Sequence, residues 1–355
     1  MKRCHFIGLD THCQSCDMAV LAPGGEVCRR ERCATTIPAL TALLESVPRP
    51  RALVFEEGPL ADWLARELRP VVDELVVSEP RRNRLVAEDG DKDDPIDGGK
   101  LALLLRGGFI KAVHHPETLA RSLFKQRVAL YHDRVRRRVS EGLRIGSLFR
   151  RYGVMIREKA FVQAQERPAL LQRLPDDAGL RADVKLLWPS YDLAVKQEEQ
   201  LRQRLTTAAK QIEVVRRFEE MPGIGWVRAA TFYAYLDTPW RFASKACLWK
   251  YLGIGLERRR SGKGPERLRV PMQCQRRLKC MILGAAKSAI AQGENPFAEQ
   301  YRRWLKQGLS ARLARRNVAR SLAATLWGLW KNGSAYRPEW VGVALAASAA
   351  AVPSR

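Results

Sequence analysis

Apolar and polar residues alternate along three short stretches near the start of the chain. This period of two predicts strands over residues 4–10, 17–22 and 26–32. Residues 23–25 are Pro-Gly-Gly, a sequence that favours a tight turn, so the second and third strands are predicted to form a hairpin.

The period then changes to the three-to-four residue spacing of helices, interrupted by two short apolar runs. Ile37, Leu40, Leu44 and Val47 mark the first helix. The further predicted elements are a strand over 52–55, a helix over 60–68, a strand over 74–77 and a Leu-rich helix over 100–105 that Gly107-Gly108 ends. The order βββαβαβα predicts an α/β domain with the ribonuclease-H-like mixed sheet.

Residues 117–217 are helical in pattern and rich in arginine. Leu119, Leu123 and Leu130 are spaced as an apolar seam, and a later helix is predicted from about residue 192 to residue 219. Long paired helices of this kind often form an antiparallel or intersubunit coiled coil, with a solvated helical face as the alternative. The arginines beside the seam, expected to be free for phosphate, are Arg134, Arg136, Arg137 and Arg138.

A new domain is predicted from residue 218, where Met221-Pro222-Gly223-Ile224-Gly225 stands between two helical stretches. This is the pattern of a helix-hairpin-helix turn. Gly223 and Gly225 would let backbone N–H groups approach a phosphate, although a plain helix–helix turn has similar residues. The remainder of the chain is predicted to be mainly helical, so the whole is α/β plus α.

These patterns divide the chain into four parts. We predict an α/β domain over 1–116, a basic helical linker over 117–217, a further domain over 218–332 and a low-complexity tail over 333–355. A chain of 355 residues, 46% of them hydrophobic, is long enough for several buried cores.

Charge separates the first part from the rest. The chain has 62 Lys and Arg against 38 Asp and Glu, a net charge of +24. Residues 1–116 contain 16 basic and 18 acidic residues, which leaves 46 and 20 for residues 117–355. This imbalance favours a polyanionic partner, and nucleic acid is the expected one.

Neither a membrane span nor a secretion signal is expected. No run reaches the roughly 18 apolar residues of a membrane helix, and Met1-Lys2-Arg3 leads directly into a strand that meets Asp10. We therefore expect a cytoplasmic protein.

Eight cysteines raise the possibility of a zinc site formed by Cys13, Cys16, Cys28 and Cys33. In the predicted hairpin Cys33 would pair near residue 15, whereas Cys28 would lie opposite residue 20. At about 3.3 Å per residue, Cys28 is then too far from Cys16 for one zinc ion. Reduced cytosolic thiols are the alternative interpretation.

Four carboxylates are placed as a metal site requires. Asp10 ends the first strand, Glu56 follows the fourth, and Asp94 and Asp97 share one face if they open the last helix. Hard oxygen ligands favour Mg²⁺ or Mn²⁺, two of which can catalyse phosphodiester chemistry. A solvated acidic loop is the alternative for Asp94 and Asp97, and Glu57 is an alternative to Glu56.

A serine surrounded by cations lies in the stretch 256–269, which is expected to be a flexible loop. Ser261 could attack a phosphodiester, with neighbouring cations stabilising the charge that develops on the phosphate. A basic loop that only holds phosphate is the alternative. The cations of this stretch are Arg258, Arg259, Arg260 and Lys263.

Taken together, these motifs resemble a family of insertion-sequence transposases over about residues 4–332. That family joins an N-terminal Asp-Glu-Asp-Asp domain, similar to Holliday-junction resolvases, to a C-terminal serine domain, and its members are regarded as bridge-RNA-guided recombinases. The matching motifs are Ile7-Gly8-Leu9-Asp10-Thr11-His12, Phe55-Glu56-Glu57-Gly58-Pro59, Lys92-Asp93-Asp94-Pro95-Ile96-Asp97, Pro222-Gly223-Ile224-Gly225, Trp240-Arg241-Phe242, Tyr251-Leu252-Gly253-Ile254 and Ser261-Gly262-Lys263.

The resemblance implies a specific chemistry. Asp10, Glu56, Asp94 and Asp97 would bind Mg²⁺, and Ser261 would form a phosphoserine link to a DNA end. A structured guide RNA would pair with the DNA, and homodimers joined through a coiled coil would assemble into a tetramer. Further nucleic-acid contacts are expected from Arg276 and Arg277.

One departure from the family pattern affects the predicted site. Gly98-Gly99 replace the usual Ala or Ser after the fourth carboxylate, and since glycine is a poor helix former, we expect a weakened helix there. Two other classes of protein fit the same residues: a metal-dependent nuclease or junction resolvase in which Ser261 is dispensable, and a non-catalytic nucleic-acid-binding protein.

Overall fold

The computed structural model describes residues 4–80, 94–156, 163–259 and 267–341. The chain forms two compact units, residues 1–122 and residues 123–355. Each unit is described by itself. The boundaries predicted at residues 116, 217 and 332 stay predictions.

A mixed sheet forms the centre of the first unit. Its order is β3-β2-β1-β4-β5-β6; β1, β2 and β3 pair antiparallel, β4 and β5 run parallel to β1, and β6 is antiparallel to β5. The strands are β1 (His5–Thr11), β2 (Ser15–Leu21), β3 (Val27–Ala34), β4 (Arg51–Glu56), β5 (Glu74–Ser78) and β6 (Ala112–Val113).

Helices cover both faces of this sheet. Helices α1 (Ile37–Glu45) and α2 (Ala61–Leu68) lie on one face, where they pack on side chains such as Ile7, Leu9 and Phe55. Helix α3 (Asp94–Gly107) lies on the other face and packs on Phe6, Val54 and their neighbours. Since successive strand residues point to opposite faces, each strand contributes to two separate cores.

The predicted order βββαβαβα is confirmed, and β6 is an additional strand that the sequence did not indicate. With two residues, β6 is too short to show a period. In the hairpin, Cys33 pairs with Cys16 rather than with residue 15, and Cys28 lies at a bulge beside Val20. All eight cysteines are free thiols, and burial raises the pKa of the Cys16 and Cys33 thiols.

The second unit is mainly helical, so α/β plus α is confirmed as the fold class. Its large core joins side chains from Phe124 to Leu329, and a smaller core forms around Phe149 and Trp188. Its helices are α4 (Leu119–Arg151), which begins just before the unit boundary, α5 (Arg167–Gln172), α6 (Ala178–Lys185), α7 (Trp188–Lys210), α8 (Glu213–Glu219), α9 (Trp226–Leu236), α10 (Lys245–Tyr251), α11 (Arg276–Gln292), α12 (Pro296–Lys306) and α13 (Ala311–Asn332).

The helix predicted over 192–219 is two helices, α7 and α8. Helix α7 begins earlier than predicted, at Trp188, with Pro189 in its first turn, where proline is favoured. The helix ends at Lys210 because Ile212 adopts an extended conformation and packs against the large core. Helical periodicity continues through this break, so the pattern alone does not reveal it.

Helices α4 and α7 run antiparallel within the chain. A Cβ on Gly142 of α4 would lie 3.4 Å from the Tyr191 ring near the start of α7, whereas Arg134, earlier in α4, bonds Gln197, later in α7, at 3.1 Å. Arg138 bonds Glu198 at 2.7 Å. The expectation that the arginines beside the seam are free for phosphate is therefore wrong. Each one pairs within the protein, since Arg136 contacts Asp133 and Arg137 contacts Glu141.

The predicted leucine seam of α4 does not face the core of the chain. Leu123 and Leu130 are 51% and 43% exposed, whereas Phe124 and Val128 are buried. The exposed leucines thus form a second apolar row of α4, beside the row that is buried in the core.

Among the helices of the described ranges, none combines the length and the apolar character of a membrane-spanning segment.

Candidate active site

Asp10 and Glu56 lie side by side at the carboxyl ends of two neighbouring parallel strands. Leu9 pairs with Phe55, so the next positions of β1 and β4 bring Asp10 beside Glu56. Phe6 and Val54 share a core with α3, and side chains two residues apart face the same way. Both carboxylates therefore belong to the face of the sheet that α3 covers.

Helix α3 crosses this face closer than any side chain would allow. A Cβ added to Gly8 would lie 1.8 Å from the carbonyl oxygen of Gly98 and 2.9 Å from the amide nitrogen of Ala102. The contact depends on the missing side chain of Gly8, since a Cβ on Gly98 would come no closer than 3.2 Å to β1 and a Cβ on Gly99 would make only ordinary contacts. The helix continues through Gly98-Gly99 although glycine is a poor helix former.

The direction of α3 places its first turn at the end of the sheet that carries Asp10. Arg106, at the far end of the helix, donates to the carbonyl of Gly24 at 2.7 Å. Gly24 lies in the turn after β2, at the end of the strands opposite Asp10. The helix begins at Asp94, six residues before the predicted start at residue 100, and Asp97 is one turn further. The backbone of both positions is therefore directed toward Asp10; their side chains lie outside the described part of the structure.

Asp10 has close polar neighbours that the sequence did not single out. His12 Nε2 lies 3.1 Å from Asp10 Oδ2, and the Asp10 side chain is 24% exposed. Asp17 of β2 pairs directly with Asp10 across the antiparallel ladder. The alternation of the hairpin was the available signal for Asp17, but using it requires the strand register, which was predictable only to within a residue.

Glu57 has a different environment from Glu56. Its Oε2 lies 2.5 Å from Nε2 of the buried His115, whose Nδ1 lies 3.4 Å from Asp62 Oδ1. Ser122 also bonds Asp62. Glu57 is thus tied to a histidine and is displaced to the other side of the strand end, whereas Glu56 ends β4 on the α3 side.

The donors at this end of the sheet fit a hard divalent cation. They are carboxylate oxygens, which Mg²⁺ and Mn²⁺ prefer, and one oxygen of Asp17 is buried with no hydrogen-bond partner. Among the side chains that the structure describes, no three His, Cys, Asp or Glu residues stand close enough together to hold a metal ion. The predicted four-carboxylate set also includes Asp94 and Asp97, whose side chains lie outside the described part of the structure.

The stretch 256–269 was expected to be a flexible loop, but part of it is a paired strand structure. Its flanks pair as a two-stranded antiparallel sheet, β7 (Glu257–Arg259) with β8 (Arg267–Arg269). Charged residues have low strand propensity, which explains why the pattern did not predict these strands. Arg258 and Arg259 lie on β7, while Ser261, Arg260 and Lys263 lie outside the described residues.

The turn at 221–225 joins α8 to α9, and its two glycines have different roles. Gly223 is buried with φ +78°, and a Cβ there would lie 2.4 Å from the carbonyl of Ala285 in α11. Gly225 is exposed, is the N-cap of α9 and has open space around it. Arg228 Nη1 donates to the carbonyl of Gly223 at 2.6 Å and so fixes the turn. Of these two glycines, only Gly225 is exposed enough to contact a phosphate.

Arg276 and Arg277 begin α11, and they too differ. Arg276 is exposed. Arg277 is partly buried, bonds the Tyr235 hydroxyl and stacks over the Tyr235 ring with its guanidinium carbon 5.7 Å from the centroid. Arg276 is thus the more accessible of the two predicted phosphate contacts.

Comparison with known protein families supports a transposase. Residues 215–302 match the family model described as the transposase IS116/IS110/IS902 family. The match includes the turn at 221–225, strands β7 and β8 and the whole of α11. No curated protein matches the chain at a significant level. The match supports an insertion-sequence transposase, hence DNA as a partner and DNA recombination as the general activity.

Proposed function

We propose that this protein is an RNA-guided DNA recombinase that uses a carboxylate-bound cation site and a serine nucleophile. Asp10, Glu56, Asp94 and Asp97 hold Mg²⁺ or Mn²⁺, and Ser261 forms the covalent link to DNA. The observation that carries the proposal is the register of β1 with β4, which sets Asp10 beside Glu56 where α3 begins.

The ribonuclease-H-like assignment of the first unit belongs to this proposal. The strand order β3-β2-β1-β4-β5, with the first three strands antiparallel and the next two parallel to β1, supports it. Bound cations would supply charge neutralisation at the reacting phosphate. The chain's own carboxylates would hold them at the sheet end, where the glycine contact between β1 and α3 keeps the two elements together.

The serine step exchanges one phosphodiester for another. A bond forms between Ser261 Oγ and phosphorus as the serine hydroxyl loses its proton, the bond from phosphorus to the leaving deoxyribose oxygen breaks, and that oxygen takes up one proton, so that none is gained or lost overall. A DNA hydroxyl then reverses the step and releases the serine. Because each step replaces one P–O ester bond with another, strand exchange conserves the phosphodiester energy. Arg258, Arg259, Arg260 and Lys263 would stabilise the phosphate charge.

The basic second part of the chain is proposed to hold DNA and a guide RNA through their backbones. The turn at 221–225 is proposed as a helix-hairpin-helix, with the exposed Gly225 N–H at the start of α9 as its phosphate contact and Arg276 as a further one. The net charge of residues 117–355 supports a nucleic-acid partner. We propose that the protein acts at the bacterial nucleoid.

The exposed leucines of α4 support assembly of copies of the chain. Leu123 and Leu130 are 51% and 43% exposed and lie seven residues apart, on the same side of one long helix. We propose that this apolar row pairs with a second copy as a coiled coil, and that two such dimers form the recombining tetramer. Light scattering of the purified protein, with Leu123→Lys and Leu130→Lys as disrupting changes, measures this state directly.

The test is strand exchange between DNA carrying the element ends and a target, with the RNA transcribed from the flank and Mg²⁺. Asp10→Asn and Ser261→Ala are each expected to reduce product by a factor of at least about 10³, as loss of a nucleophile or its activating group does. Glu31→Gln and Ser244→Ala serve as controls. Glu31 is exposed on the opposite face of the sheet, and Ser244 only caps α10.

Two outcomes would replace the proposal with one of its alternatives. Mg²⁺-dependent DNA cleavage that survives Ser261→Ala identifies a carboxylate nuclease or resolvase. Nucleic-acid binding without any strand breakage, unaffected by Asp10→Asn, identifies a non-catalytic binding protein.

A further inference from the structure

A fifth carboxylate, Asp17, lies opposite Asp10 on the same face of the sheet. Asp10 and Asp17 are direct partners in the β1–β2 ladder. In β2, Met18 and Val20 pack with α1 and α2, while Leu21 packs with α3. Alternation then assigns Asp17, four residues before Leu21, to the α3 side. Directly opposite side chains of an antiparallel pair have Cβ atoms about 4.5–5.5 Å apart.

Asp17 is buried without the partners that a buried carboxylate requires. Only 9% of the residue is exposed, and its Oδ2 atom is inaccessible and accepts no hydrogen bond. Its nearest cation is Arg32, whose Nε lies 3.8 Å from Oδ2. The Arg32 side chain is 64% exposed, and its Nη2 donates to Ser15 Oγ at 2.7 Å instead. Burying a charged oxygen in this way is unfavourable in the absence of a further cation.

Two like charges directly opposite each other add a second unfavourable contribution. A divalent cation between the two strands would remove both, since it supplies the positive charge and satisfies the buried oxygen. Helix α3 passes directly above, because a Cβ on Gly98 would lie 3.4 Å from the carbonyl oxygen of Asp17. The start of that helix therefore lies over both strands.

We propose that Asp17 is a fifth carboxylate of the cation site and that its Oδ2 binds a divalent cation held also by Asp10. This inference rests on the proposed cation site and extends it to a strand that the four-carboxylate set does not include. The alternative role of Asp17, as a structural anchor for Arg32, makes different predictions.

The experiment measures Mn²⁺ binding to the full chain by isothermal titration calorimetry, together with the unfolding temperature with and without Mn²⁺. The variants are Asp17→Asn, Asp10→Asn and Arg32→Gln, with Glu31→Gln as the matched control. Glu31 lies on the neighbouring strand, is exposed and pairs with Met18, so its charge is on the other face. Asp17→Asn is expected to weaken Mn²⁺ binding by at least about tenfold. In the metal-free protein, it should keep or raise the unfolding temperature, because it removes a buried charge whose ion pair with Arg32 is long, at 3.8 Å.

Comparing the Asp17→Asn and Asp10→Asn variants distinguishes the role of Asp17 from the four-carboxylate site. If Asp10→Asn weakens Mn²⁺ binding and Asp17→Asn does not, the role of Asp17 is overturned while the four-carboxylate site stands. If Asp10→Asn leaves Mn²⁺ binding unchanged, the cation site itself is overturned.

Arg32→Gln keeps the test decisive even if Asp17→Asn fails to fold. We expect unchanged or tighter Mn²⁺ binding in this variant, because a competing positive charge is removed. Weaker binding in Arg32→Gln, or an Asp17→Asn protein that is destabilised without metal and binds Mn²⁺ normally, would assign Asp17 to the structural role.

Discussion

Gly8 determines how closely α3 approaches the candidate site. Its missing side chain leaves room for the carbonyl of Gly98, and this contact aligns the start of α3 with the end of β1. In the motif Ile7-Gly8-Leu9-Asp10, the glycine therefore fixes backbone spacing two residues before the carboxylate. The consequence is that a substitution without any charge can disturb the site.

Gly8→Ala is expected to destabilise the protein by at least about 2 kcal/mol, since overpacking against backbone cannot be relieved by a rotamer change. Chemical denaturation of the first unit's transition measures this loss. Gly58→Ala is the control, because Gly58 is exposed and has no atom within 4 Å of an added Cβ. Equal stability of the two variants would contradict the close approach of α3.

The two glycines of the turn at 221–225 give a second residue-scale prediction. Gly223→Ala should lower the free energy of unfolding by about 1–3 kcal/mol, because its φ is positive and the added Cβ meets α11. Gly225→Ala should leave stability unchanged, because the added methyl group meets no protein atom within 4 Å. It should weaken DNA binding in a fluorescence anisotropy titration, because the methyl group occupies space through which a phosphate would approach the start of α9. Normal DNA affinity in Gly225→Ala would contradict the proposed phosphate contact.

At this scale the sequence indicates positions better than environments. The end of a strand was enough to single out Asp10 and Glu56 for the proposed site. Asp17 and the His115–Glu57 contact were not predictable, because one depends on the hairpin register and the other joins residues 58 positions apart.

Helices α4 and α9 enclose a half-buried histidine close to two arginines. His132 of α4 has its Nε2 atom 2.9 Å from Thr231 Oγ1, and the Thr231 hydroxyl donates to the carbonyl of Val227. The histidine nitrogen is therefore the donor. Burial, together with the positive charges of Arg277 and Arg136, lowers the pKa of His132 to about 4.

This shift predicts a pH-dependent stability. The pKa of His132 is lower in the folded than in the unfolded chain, so the unfolded chain takes up the proton first as the pH falls. Stability from this residue is complete above about pH 6.5 and is lost progressively toward pH 4, with a total of about 2 kcal/mol for a partly buried ring. Urea denaturation across this range measures it. His132→Gln should flatten that part of the profile, and an unchanged profile would contradict the assignment.

Elements with a clear period were predictable, and those whose limits depend on packing were not. The order of the first unit follows from alternation and apolar runs. The break at Ile212 and the exposure of Leu123 and Leu130 depend on which face of a long helix meets the core, and α4 offers two apolar rows. Sequence alone does not decide between them.

At the scale of the whole molecule, charge is distributed unevenly along the chain. The first 116 residues are nearly neutral and contain the carboxylates, whereas all of the excess positive charge lies in the remainder. Such a division suits a chain in which one part holds cations and another holds nucleic-acid backbone. The family match over residues 215–302 lies in the basic part.

In the proposed mechanism, Ser261 becomes covalently joined to DNA in a reaction that needs the carboxylate site. The most direct measurement is mass spectrometric mapping of the protein–DNA adduct formed on element-end DNA with the flanking RNA and Mg²⁺. We predict one adduct, at Ser261, that is absent from Ser261→Ala and from Asp10→Asn. Strand exchange without any adduct, or an adduct mapped to another residue, would contradict the account.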